Sequence, residues 1–155
     1  MSKRALFLVF AIAATGAIAI FPLMAQSNEV LDTVLGEASL SYGNAAYLVG
    51  TASGHVPETT APADAVPIVE QAGLGLPGRG ASDPVTLGDF SYMLTRAFGV
   101  HGGLMYWILP SPRYATRELA YLDIISGPAK PGMSLSGERA LRILERMLDH
   151  KEAAR

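Results

Sequence analysis

The chain has no cysteine. That excludes disulfides, thiolate metal sites and the lipid-bearing cysteine of a bacterial lipoprotein. Its three histidines, His55, His101 and His150, lie far apart and form no HxxxH or HxH spacing. A metal or nucleophile–base site would need them to converge with carboxylates, and loop or surface positions account for them more simply. Charge is also scarce, with 12 Lys and Arg against 14 Asp and Glu and no basic run. Nucleic-acid binding, which depends on neutralising phosphates, is therefore excluded as the expectation. No stretch alternates apolar and polar residues as a half-buried strand would, and there is no Gly-x-Ser-x-Gly. The glycine-rich Gly73–Gly80 lacks the Gly-Lys-Ser/Thr of a phosphate loop and reads as a turn. No cofactor is expected.

What the chain does have is a leader. Lys3 and Arg4 precede an uncharged, largely apolar run from Ala5, and Pro22-Leu-Met-Ala25 leads into polar Gln26-Ser-Asn-Glu29. This is the layout of a signal peptide over residues 1–25, with cleavage after Ala25 leaving Gln26 first. Such a chain is exported, to the periplasm or surface of a bacterial envelope. The alternative is a retained single-span anchor, because Ala5 to Ala25 is just long enough to cross a bilayer as a helix. Two of the basic residues and none of the acidic ones lie in the leader, so residues 26–155 carry a net charge of −4. They are enough for one domain with a real core.

That domain reads as all-α. Thr86 and Asp89 make a capping box with Asp at its third helical position, and Val85 and Phe90 have hydrophobic-staple spacing. The helix they open runs to Phe98 on a stripe of Leu87, Phe90, Leu94, Ala97 and Phe98, and Gly99 ends it. A second helix takes Ser111 as cap and Pro112 at its first position, with Ala115, Leu119, Leu122 and Ile125 inward and Gly127 as its stop. A third starts at Ser136, with Ala140, Leu141, Leu144, Met147 and Leu148 inward. Weaker helices are expected from Asn28 to Leu35, Tyr42 to Thr51 under a Ser41 cap, and Ala63 to Ala72. The three serines Ser41, Ser111 and Ser136 are thus caps and not nucleophiles.

An internal repeat emerges from these elements. Leu135-Ser136 stands fifty residues after Val85-Thr86, and Leu94 and Arg96 are matched by Leu144 and Arg146. Each helix follows a Gly/Pro linker, and each linker follows a shorter helix closed by Gly73 or Gly127. Leu40-Ser41 opens a third, more degenerate copy. One such unit cannot bury its apolar face alone, so the copies should pack together.

Val85-Thr86-Leu87-Gly88-Asp89-Phe90, with Met93-Leu94 and Arg96-Ala97 after it and Ala65–Leu74 before it, resembles the S-layer homology repeat of bacterial cell-surface proteins. The resemblance, over most of residues 38–149, implies helix pairs arranged in threes and a contact with cell-wall polymer. In that family the wall contact uses a basic residue after the Thr. Here the position holds Leu87, and Gly137 and Tyr42 in the other copies. The resemblance therefore implies a similar scaffold more than polysaccharide binding.

The functional expectation is a non-catalytic envelope interaction module whose partner is an envelope protein or a cell-wall glycan. The rival is a small periplasmic enzyme with no recognisable motif. The candidate binding residues are Tyr106, Trp107, Arg113, Tyr114 and Arg117. Trp107, the only tryptophan, sits in an apolar segment flanked by Gly102-Gly103 and Pro110, where it serves either as core plug or as exposed anchor. Arg113 and Arg117 share a helix face and suit an acidic or sugar-like ligand.

Overall fold

The computed structural model describes residues 21–100 and 110–154. Six helices are seen among them: α1 (Phe21–Gly36), α2 (Tyr42–Ala52), α3 (Pro62–Gln71), α4 (Leu87–Ala97), α5 (Pro112–Tyr121) and α6 (Gly137–Ala153). The described residues contain only two isolated β-bridges, Ser41 with Pro84 and Thr86 with Ser134. The protein is all-α.

The helices pack in three pairs. α2 lies against α3, α4 against α5, and the first helix, α1, against the last, α6. Within each pair one helix is opened by a side-chain cap. Ser41 Oγ accepts from the Asn44 N–H at 3.4 Å, Thr86 Oγ1 from the Asp89 N–H at 3.2 Å, and Ser136 Oγ from the Arg139 N–H at 3.4 Å. The Thr86 N–H in turn donates to Asp89 Oδ2 at 3.2 Å, completing the capping box. At Ser41 the same reciprocal role falls to Glu37, whose Oε2 accepts from the Ser41 N–H at 2.9 Å and whose Oε1 accepts from Asn44 Nδ2 at 3.0 Å.

The residues just before these caps close a circle of backbone hydrogen bonds. The Leu40 N–H donates to the Leu135 carbonyl at 2.7 Å, the Val85 N–H to Leu40 at 2.8 Å, and the Leu135 N–H to Val85 at 3.4 Å. All three are at most 1% exposed. Two residues along, the first residue of each capped helix repeats the circle one step outward. Tyr42 donates to Asp83 at 2.8 Å, Leu87 to Met133 at 2.9 Å and Gly137 to Glu37 at 2.9 Å. These are the N–H groups that a helix start leaves without an internal partner. Each capped helix therefore places its orphan donors on the chain entering the next, and the core of Phe90, Leu87, Met93, Leu94, Leu119 and Met147 packs around the circle.

Three expectations about boundaries need correction. Asn28 lies inside α1 and not at its cap, because nothing from Gln26 to Glu29 breaks a helix, and α1 spans the Ala25–Gln26 bond. α5 stops at Tyr121 and not at Gly127. Leu122 caps it, Asp123 turns the chain with φ of 57°, and Ile124 and Ile125 enter the core from the loop beyond. Asp tolerates that left-handed conformation better than most residues, which lets Asp123 do what Gly73 (φ of 67°) does after α3. Ser111 occupies the N-cap position of α5 but its side chain makes no capping bond, so Pro112 alone starts that helix. On α6, Leu148 is 41% exposed and not inward as expected, and Ile143 is buried instead.

Tyr42 stitches α2 to the loop after α3. Its hydroxyl donates to the Leu76 carbonyl at 3.2 Å and accepts from the Leu76 N–H at 2.8 Å. Burial raises its pKa above the usual tyrosine value, and the negative charge of Asp89 adds to the rise. The native state therefore holds this proton more tightly than the unfolded chain does. The sign follows directly: stability contributed by neutral Tyr42 is complete below pH ~10, the unfolded tyrosine value, and falls as pH rises through the folded one. Alkaline melts of wild type should drop more steeply above pH ~10 than those of Tyr42→Phe, and equal slopes would contradict the assignment.

Candidate functional site

α5 carries its buried residues on one side, with Ala115, Thr116 and Leu119 fully inside, and Thr116 Oγ1 returns a bond to the Pro112 carbonyl at 2.8 Å. The opposite side is set by that register. Arg113 and Arg117, four residues apart, are exposed, and Tyr114 is half-buried beside them. With Ala120, and with Ala129 and Pro131 from the loop after α5, they line a surface groove of about 350 Å³.

The groove's wall is held by the fold. Gly88, at the second position of α4, donates its N–H to the Pro131 carbonyl at 2.7 Å, and a Cβ there would meet that oxygen at 3.0 Å and Pro112 Cβ at 3.1 Å. Only a residue without a side chain lets the starts of α4 and α5 and the Pro131 loop meet so closely. Among the described residues the ion pairs are Arg79–Asp89 at 3.0 Å and Arg142–Glu138 at 2.5 Å. Neither Arg113 nor Arg117 has a carboxylate partner among them. Two like charges at i, i+4 disfavour a helix by a few tenths of a kcal/mol, so α5 keeps this pair at a small cost. Chemically, the groove offers two guanidinium forks and a phenol to an anionic or sugar-like group.

Three of the five residues singled out from the sequence, Arg113, Tyr114 and Arg117, are thus brought together. Tyr106 and Trp107 lie outside the described residues, as does His101. His55 is exposed with Nδ1 at 2.9 Å from Ser53 Oγ, and His150 is exposed near the end of α6. The described residues hold no cluster of three His, Asp or Glu placed to bind a metal, and no helix among them is long and apolar enough to cross a membrane.

One cluster escaped sequence reasoning. Arg79, within the loop read as a plain turn, lays its guanidinium over the Tyr42 ring at 5.3 Å and donates to Asp89 Oδ2 at 3.0 Å and to the Pro84 carbonyl at 2.9 Å. It ties the start of α2 to the start of α4. The signal for it was a lone basic side chain inside an otherwise uncharged Gly/Pro loop.

Comparison with protein-family models, with curated proteins and with solved structures finds no match to this chain.

Proposed function

We propose that this chain is an exported protein of the bacterial envelope whose helical domain is a non-catalytic interaction module of the S-layer homology kind. Its three helix pairs are three copies of one unit, and the groove on α5 is its binding face for an acidic cell-wall glycan. The observation that carries the reading is the circle of hydrogen bonds through Leu40, Val85 and Leu135, the three residues that precede matched caps.

The fifty-residue offset supports it in detail. Arg96 Nε donates to the Gly73 carbonyl at 3.1 Å, and Arg146 Nη1 donates to the Asp123 carbonyl at 3.4 Å. Leu74 and Gly75 return to Val69 as Ile124 and Ile125 return to Leu119. The counterpart of Gly73 is therefore Asp123, not Gly127. In the first copy the long Gly/Pro loop is missing, and α1 passes into the Ser41 cap within a few residues. Cleavage after Ala25 would leave Gln26–Gly36 as the helical part of α1, close in length to the ten-residue α3 and α5.

Leu87, Gly137 and Tyr42 at the family's basic position argue against a wall contact at the caps, and Arg113 with Arg117 supplies the missing cations elsewhere. Arg117→Ala is the test. A charge-assisted hydrogen bond contributes about 1.5–3 kcal/mol, so the variant should bind an acidic cell-wall glycan preparation at least about tenfold more weakly. Its melting temperature should stay unchanged because the side chain is exposed. Undiminished binding by a stable Arg117→Ala variant would refute the groove.

A further inference from the structure

A second basic site lies on α6, and none of its lining residues lines the α5 groove. Arg139, Arg142 and Arg146 project around a small cavity of about 30 Å³, floored by Ile124 and Ile143 and edged by Ser126. We propose that this cavity binds a phosphoryl group.

The first argument is that two of the guanidiniums are fixed without being neutralised. Arg139 Nη2 donates to the Ser126 carbonyl at 3.3 Å and the Pro128 carbonyl at 2.6 Å, and its Nη1 lies 3.3 Å from Met133 Sδ. Arg146 Nη1 reaches the Asp123 carbonyl and Ser126 Oγ. Carbonyl partners orient a guanidinium and leave its full charge in place, which is the preorganisation an anion site needs. Among the described residues, Arg142 is the one of the three with a carboxylate, the exposed Glu138 one turn away at 2.5 Å. Such a surface pair contributes at most about 1 kcal/mol and exchanges readily for a better acceptor. Glu145 and Asp149, on the same helix, make no ion pair among the described residues. Two guanidiniums without a carboxylate match the double negative charge of a phosphate monoester.

The second argument comes from the equivalent positions. Counting three, six and ten residues from the cap gives Asn44, Tyr47 and Thr51 in the first copy and Asp89, Tyr92 and Arg96 in the second. The scaffold is built there without a cationic triad. Only the tenth position recurs as Arg, where Arg96 and Arg146 do the same work on a carbonyl. Arg139 and Arg142 are additions, and Arg139 stands in the first turn of α6, where the helix dipole disfavours cations. A bound anion would remove that conflict. A cavity this small takes only the phosphoryl head of a ligand and leaves the rest in solvent.

Calorimetric titration of the full chain with inorganic phosphate at constant ionic strength tests this. Saturable binding is expected, with acetate binding much more weakly. Arg142→Gln should weaken phosphate binding by about tenfold, the loss of one charge-assisted contact, with an unchanged melt. Ser126→Ala, on the exposed loop, should weaken it to a smaller extent and gives a second reading if Arg142→Gln fails to fold. Arg117→Ala should bind phosphate normally, which separates this site from the α5 groove. Glycerol phosphate in solution, and vesicles of phosphatidylglycerol in phosphatidylcholine, then distinguish a free or polymer-borne phosphate from a lipid headgroup. Absence of saturable phosphate binding, acetate binding as tight as phosphate, or full affinity in both variants would overturn the proposal.

Discussion

Replacing Gly137 with alanine is expected to destabilise the protein by about 3 kcal/mol or more, although Gly→Ala inside a helix ordinarily stabilises by up to about 1 kcal/mol. Gly137 is the first residue of α6, and a Cβ there would overlap the Val34 carbonyl oxygen and sit 2.6 Å from its carbon. Both obstacles are backbone, so no rotamer change relieves them. The end of α1 must retreat from α6. That retreat exposes Val34, now fully buried, and stretches the 2.9 Å bond from the Gly137 N–H to the Glu37 carbonyl. Glu37 also holds the Ser41 N–H and Asn44, so the strain reaches the start of α2. A calorimetric melt should show a fall of roughly 10 °C, at a few degrees per kcal/mol for a domain of this size. Gly36→Ala is the control, since a Cβ at that end of α1 meets nothing within 4 Å. If Gly137→Ala melts with wild type, α1 does not lie against α6.

The same contact shows where sequence reasoning stopped. Helices were legible because their signals are local. Thr86 with Asp89, and Gly99 or Gly73 past a stripe, each act within one or two turns, and the structure keeps them. The end of α5 was misjudged because Asp123 took a conformation for which Gly127 was the obvious candidate. The pairing of α1 with α6 had no local signal at all. It joins segments a hundred residues apart, and its sequence trace is a glycine at the first position of α6, which reads as a weak helix former until Val34 is seen against it. Leu40, Val85 and Leu135 were legible as apolar residues before matched caps, but the circle they close was hidden, because it is made of backbone groups. Arg113, Tyr114 and Arg117 could be placed together from their spacing on one helix. Ala129 and Pro131 could not, because no property of an alanine or a proline announces that a loop folds back over that helix.

Leu135→Ala tests whether the three pairs form one closed unit. Leu135 is fully buried, and truncating a buried leucine costs about 2–5 kcal/mol through lost burial and the cavity left behind. How that loss is distributed separates two architectures. In an open stack of repeats each pair touches only its neighbours, and damage in the last unit would fray that end while the first unit stayed protected. In the closed arrangement Leu135 accepts from the Leu40 N–H and donates to the Val85 carbonyl, so it adjoins the entry to every capped helix. α1, the first described helix, is moreover packed on α6, the last, which ties the two ends of the described fold together. Native-state hydrogen exchange should therefore show the amides of Leu40, Val85 and Leu135 losing protection together and by the same factor, with a single thermal transition. Retained protection at Leu40 and Val85, with loss confined to α6, would mean that the pairs are stacked and not closed. The circle of backbone bonds would then hold no more than its nearest helices.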